Sequence, residues 1–242
     1  MQMQDMHSDH ISGQFNADLE EIRSKLLAMG GLIEKQVQDA VTALVESNTE
    51  LAQTVRANEK QVNAMDVSIE EACIRIIARR QPAASDLRLV VSVYKCASDL
   101  ERMGDEAKRI AKMAIKLMDE GQAPRGYVEV RMIGNHVLDM VRQTLTAFAR
   151  YDLDAAYAVA KEDRLVDQEY KTAMRSLVTY MMEDPRSISS VINVIWVLRA
   201  LERIGDHARN IAQYLVYLVK GEDIRHTGLE NFKEVVEKGK KT

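Results

Sequence analysis

The sequence predicts an all-α fold, a tandem repeat of two three-helix bundles with six long helices in all. Three observations predict it. The 242 residues are 46% hydrophobic but only 5% aromatic, with three prolines, and the bulk of Ala, Leu, Met, Glu, Lys and Arg favours helix over sheet. Apolar residues recur at i, i+3, i+4 and i+7 over six stretches, the mark of helices with one buried face. Finally, the chain writes "DLERMGDEAKRIA" at 99–111 and again "ALERIGDHARNIA" at 200–212, a self-similarity that signals internal duplication.

The elements follow in order. The first helix is expected over 12–46 and the second over 49–80, separated by "ESNTE" at 46–50, whose Ser and Asn suit a turn and a new N-cap. "RRQPAASD" at 79–86 stops the second helix at Pro82 and recaps a third, over 85–120, at Ser85 or Asp86. "GQAPRG" at 121–126 reads as the link between halves. Helices over 125–150, 152–183 and 187–220 complete the second half, with "EDPRS" at 183–187 as the matching break. The duplication extends beyond the opening motif: Leu27–Leu44 lines up with Arg131–Phe148 through a shared Gly, Glu59–Asp66 lines up with Asp163–Tyr170, and Pro82 falls opposite Pro185. The expected units are a first bundle over 1–121, a second over 122–221, and a charged tail over 222–242 that frays.

Charge and composition exclude several classes. A net charge of −4 and a pI near 5.8 supply no basic face for a nucleic-acid backbone. The longest uncharged apolar-rich run, Ile188 to Leu198, is too short to cross a bilayer, and the first residues contain no secretory apolar segment, so a cytoplasmic protein is expected. Cys73 and Cys96 lie among apolar neighbours and read as buried thiols. Neither a phosphate-binding P-loop nor a nucleophile elbow occurs. The "AMGGLI" run at 28–33 reads as a place of close helix packing.

The repeated motif places two carboxylates four residues apart in each half, Glu101 with Asp105 and Glu202 with Asp206. Like charges at that spacing repel, so the sequence tolerates the same local cost twice. Two readings are open. Arg102, Lys108, Arg109, Arg203 and Arg209 could neutralise the acids in ordinary ion pairs. Alternatively, a second set of acids on the preceding helix, Glu59, Asp66 and Glu70 in one half and Asp163 and Asp167 in the other, would complete an oxygen-rich site for hard or borderline cations such as iron, manganese, magnesium or zinc. The Glu-x-x-His signature of di-iron oxidases is missing, because Gly104 and Gly205 stand three residues after the glutamates. His207, next to Asp206, is open to serving as a further ligand but reads rather as salt-linked or solvated, and His7, His10, His136 and His226 form no ligand spacing.

Three stretches, "HISGQFNADLEEIRSKLLAMGGLIEKQV", "EACIRIIARRQPAASDLRLVVSVYKCASDLERMGD" and "YMMEDPRSISSVINVIWVLRALERIGDHARNIAQYLVYLVKG", resemble the PhoU family of phosphate-regulation proteins across roughly residues 10–226. The resemblance implies a tandem of three-helix bundles with an E/D-x-x-x-D motif in each half, which some members use to bind iron or other metal clusters. That motif falls on Glu101 and Asp105 and on Glu202 and Asp206. The sequence departs from strict duplication where Asn63 stands opposite Asp167 and Tyr170 opposite Asp66. The resemblance further implies a non-enzymatic, negatively acting regulator of phosphate signalling and uptake. Such a protein works between the ATPase subunit PstB of the phosphate ABC transporter and the sensor kinase PhoR with its response regulator PhoB, meets the membrane only through those partners, and forms a homodimer. The alternative is a metal-storage protein or metalloenzyme built on the carboxylate clusters. Met174, Tyr180, Met181, Met182 and the run 214–219 suit either core or partner surface.

Overall fold

The computed structural model describes residues 13–121 and 127–238. Its helices are α1 (Gly13–Val45), α2 (Thr49–Arg80), α3 (Ala84–Asp119), α4 (Tyr127–Arg150), α5 (Leu153–Glu183), α6 (Ile188–Lys220) and α7 (Leu229–Glu237), with a short 3-10 turn at Pro185–Ser187. The six expected helices are present within a few residues of their predicted ends; 122–126, most of the expected link, and His7 and His10 lie outside the described residues. Local chemistry sets the boundaries. The Asn48 side chain accepts from the Leu51 amide at 3.0 Å, and Asp152 accepts from the amides of Asp154 and Ala155 at 3.0 Å, so each second helix of a half starts on a side-chain cap. Gly221, at φ +73°, closes α6 in the left-handed conformation that glycine adopts without steric cost.

Helices α1, α2 and α3 pack against one another, as do α4, α5 and α6, and the two bundles join chiefly through α3 against α6 and secondarily through α1 against α4. The joining helices run antiparallel. Arg88 Nε donates to the Leu218 carbonyl at one end of the seam, and Lys116 Nζ donates to Asn193 Oδ1 at the other. Between these ends the seam is centred near Arg102 and Arg203, which are equivalent positions of the repeat, so the halves are related by an approximate two-fold axis through the duplicated motif.

Glycines show how closely the duplication is kept. A methyl group on Gly134 would sit 3.0 Å from both γ-carbons of Val41, and one on Gly30 would fall inside van der Waals contact of the Leu145 δ-carbons. Gly30 and Gly134 are equivalent positions, as are Val41 and Leu145, so α1 and α4 exchange the same contact across the axis. Gly104 faces Ile33, Val62 and Gln36, and Gly205 faces their counterparts Val137, Val166 and Met140. One core position thus holds a buried amide in the first bundle and a thioether in the second.

The tail departs from expectation. Residues 229–237 form α7 rather than fraying, with Phe232, Val235 and Val236 buried and the Phe232 ring edge-on to Tyr157 of α5 at 5.8 Å. The apolar i, i+3, i+4 spacing of these three residues supplies a stripe that covers α5, and it outweighs the charged composition of the segment.

These contacts predict opposite signs for two similar substitutions. Gly205→Ala meets its nearest neighbour at an ordinary 3.7 Å and should stabilise the fold by about 0.5–1 kcal/mol through helix propensity. Gly134→Ala must displace the stiff Val41 and should destabilise it by about 1–2 kcal/mol. Urea denaturation of the two variants measures both.

Carboxylate faces and the polar seam between the bundles

The predicted acids lie where α2 meets α3 and where α5 meets α6, and the structure sorts them by whether a cation has reached them. Glu59 is ion-paired to Lys108, and its counterpart Asp163 is ion-paired to Arg209. Lys108 and Arg209 are themselves equivalent, so each half carries the same cross-helix salt bridge. Arg209 also reaches Asp206 at 2.9 Å, and Arg199 lies 3.4 Å from Glu202. In the first half nothing similar happens beyond Glu59: among the described residues no ion pair engages Asp66, Glu101 or Asp105. Arg109, four residues beyond Asp105, turns instead to Glu106 at 3.0 Å. Glu70 accepts the Tyr94 hydroxyl at 3.1 Å, away from the pairs.

Burial and mutual repulsion raise the proton affinity of these groups. The Glu101 carboxyl is pushed up by burial, then by Asp105 and Asp66, and Asp66 is raised by burial and Glu70. Glu202 is raised by burial and Asp206 against the pull of Arg199, and one of its buried oxygens has no hydrogen-bond partner among the described residues. Asp163 is pushed up to about 6 by burial, with Asp206 and Asp167 adding to the rise and Arg209 opposing it. Among the described residues no three His, Cys, Asp or Glu side chains converge on one point. Asp66, Glu101 and Asp105 offer the oxygen donors that hard cations take, but among the described residues they form no closed cage for one.

On the buried seam the salt-linked reading of His207 holds, while Asp99 and Glu106 escaped the sequence reading. His207 of α6 is buried, and its Nδ1 lies 2.6 Å from Oδ1 of Asp99 on α3, an oxygen that also accepts from Asn210 Nδ2 at 3.3 Å. Glu106, also buried, meets Arg203 across the seam at 2.9 Å. Glu106 and His207 occupy equivalent positions of the repeat; a polar residue in both copies on an otherwise apolar face was the available signal. His136 has its two ring nitrogens 2.6 Å from Glu162 and 3.2 Å from Glu169 of α5. Burial pushes its pKa down, but the two carboxylates prevail and the net direction is upward. The run 214–219 is mainly core, while Met182 is 80% exposed.

The chain matches the PhoU domain twice, over residues 26–114 and 130–215, one match to each bundle. The chain belongs to the PhoU family. It is 62% identical over 233 residues, 96% of each chain, to the phosphate-specific transport system accessory protein PhoU homolog of Pseudomonas aeruginosa, and 48% identical over 219 residues, 90% of each, to the phosphate-specific transport system accessory protein PhoU of Escherichia coli strain K12. Crystal structures of PhoU from Pseudomonas aeruginosa and of the phosphate transport system regulatory protein PhoU from Streptococcus pneumoniae superpose with TM-scores of 0.84 and 0.80, at 62% and 31% identity. Each superposition covers 86% of this chain, and 100% and 98% of the respective neighbour. The double match and the superpositions support the tandem all-α architecture and a role in phosphate transport regulation. No described helix is long and apolar enough to cross a membrane.

The Asp163–Arg209 pair has a pH signature. A carboxyl whose folded pKa lies above its unfolded value costs stability when ionised, so the cost is absent below about pH 4, grows toward pH 6 and is complete above it. Arg209→Met removes the counter-charge and should destabilise the fold by about 2 kcal/mol at pH 7.5, less at pH 5, where Asp163 takes up a proton. Asp163→Asn should cost less than Arg209→Met at pH 7.5 and flatten the pH dependence between 4 and 6. Thermal melts across that range test the ordering.

Proposed function

We propose that the chain is a non-enzymatic, cytoplasmic negative regulator of phosphate signalling and uptake. In this reading it couples the phosphate ABC transporter, through its ATPase PstB, to the kinase PhoR and the regulator PhoB, and acts as a homodimer. The observation that carries the reading is identity over 96% and 90% of both chains to proteins named as accessory components of phosphate-specific transport. A mechanism by docking is consistent with a chain made of long amphipathic helices, whose faces serve as binding surfaces. Deleting the gene and measuring alkaline phosphatase in phosphate-rich medium tests the role. Activity should rise by an order of magnitude or more and fall again when the intact gene is restored; activity that stays low would reject the role.

The carboxylates divide under the same proposal. Arg209 forms ion pairs with two acids of the second face, whereas Asp66, Glu101 and Asp105 make no ion pair among the described residues, so a bound cation is favoured at the first. The double variant Glu101→Ala with Asp105→Ala should lose most of the iron, manganese, magnesium or zinc that co-purifies with the protein. Glu202→Ala with Asp206→Ala should lose less than half. Elemental analysis of the two variants decides the assignment, and equal losses would show that the faces are alike.

A further inference from the structure

Beside the first acidic face, and sharing Asp105 with it, lies a groove of about 660 Å3 lined by residues of α2, α3 and α6. Its charge runs against that of the whole chain. Five cationic side chains, Arg56 of α2 and Lys108, Arg109, Lys112 and Lys116 of α3, face a single carboxylate, Asp105, although the net charge of the protein is −4. Three of the five are partly engaged, Lys108 with Glu59, Arg109 with Glu106 and Lys116 with Asn193. Arg56 and Lys112 make no ion pair among the described residues, so the groove carries an excess of positive charge at its surface.

The groove also has an apolar edge. Trp196 of α6, the one tryptophan in the sequence, lines it and is 50% exposed. Ile192 and Ile188 continue the same face toward the start of α6 at four-residue spacing, 43% and 42% exposed. Lys108, Lys112 and Lys116 share a four-residue spacing on α3. Because α3 and α6 run antiparallel and are held in register by the Lys116–Asn193 and Asn193–Glu120 hydrogen bonds, the apolar row is staggered along the basic row, Ile192 and Trp196 lying beside Lys116 and Lys112 and Ile188 extending past them. Each row spans nine residues, eight helical steps and about 12 Å of helix.

We infer that this groove docks an acidic amphipathic helix of a partner protein, its apolar face on Ile188, Ile192 and Trp196 and its carboxylates toward Lys112 and Arg56. Two features select that occupant over a small anion. The apolar row extends past the cavity to Ile188, farther than a base stacked on Trp196 would cover. The open groove also repeats its anchors at helical spacing, the pattern by which one helix lies on another. Half-exposed Trp beside cations is the composition that dominates binding energy at protein interfaces. The inference rests on the reading of the chain as a docking regulator and adds the face and the partner chemistry to it.

A solitary tryptophan makes the test direct. The full-length protein is titrated with an 18-residue amphipathic peptide bearing Leu on one face and Glu on the other, and with the same peptide bearing Lys for Glu. Trp196 emission should shift to the blue and saturate below about 100 µM with the acidic peptide at low salt, and at least tenfold weaker with the basic one. Arg56→Glu with Lys112→Glu should weaken the acidic peptide at least tenfold while leaving the melting temperature within a few degrees, and labelled-peptide anisotropy should report the same loss for Trp196→Ala. ATP and inorganic triphosphate form the second arm. Saturation by either with no response to the peptide, equal binding of both peptides, or no response to any probe would overturn the inference. The alkaline phosphatase assay separates the two readings: a groove variant that still represses and a peptide that does not bind reject the docking face alone, whereas a silent deletion rejects the regulatory role.

Discussion

Two helices of more than thirty residues lie side by side along their length only when the charged groups buried on the shared surface are offset by partners. On the contact between α3 and α6, Asp99 is matched with His207 and Glu106 with Arg203. An unpartnered buried donor or acceptor costs about 1–3 kcal/mol. Those four groups therefore fix the register of the two bundles, and the register in turn decides which surface of α3 remains for the acids and the basic groove that adjoins them.

The six-helix plan was legible in the sequence because its signals are local. Asn48 and Asp152 cap, Pro82 and Pro185 break, and apolar residues return with helical period. The tail was legible as well, but the weight given to its lysines and glutamates hid the stripe of Phe232, Val235 and Val236. What could not be read was the destination of each charge. Asp105 and Arg109 sit at ideal spacing for an ion pair within one helix, yet Arg109 bonds Glu106 because Glu106 is buried and the loss of its hydration must be offset. Glu59 finds Lys108, and Asp163 finds Arg209, across 46 to 49 positions of sequence, a distance over which spacing carries no information. The duplicated motif marked the right stretch of α3 and α6. It pointed to the acids on the exposed edge of the helices, whereas the polar residues that organise the fold are two positions before it and one position after it, facing inward.

Duplication followed by divergence accounts for the inequality of the two acidic faces. A lysine in the first half and an arginine in the second occupy the same slot, but the planar guanidinium of Arg209 serves two carboxylates at once while Lys108 serves one. A single exchange of side chain thus changes the electrostatic character of a face without moving a helix. The same logic applies to the buried pair Gln36 and Met140, where backbone and packing are shared and polarity is not.

The approximate two-fold axis has a consequence for assembly. If two copies of the first half met through α3 in the way that α3 now meets α6, Asp99 of each would face Glu106 of the other, leaving two Arg102 side chains, the counterparts of Arg203, to balance four buried carboxylates. If two copies of the second half met through α6, His207 would face Ala200 and lose its acceptor. Each half is therefore a poor partner for its own kind and a good one for its sibling. The asymmetry of Asp99 against Ala200 and of Glu106 against His207 thus favours the pairing of unlike halves over the self-association of either.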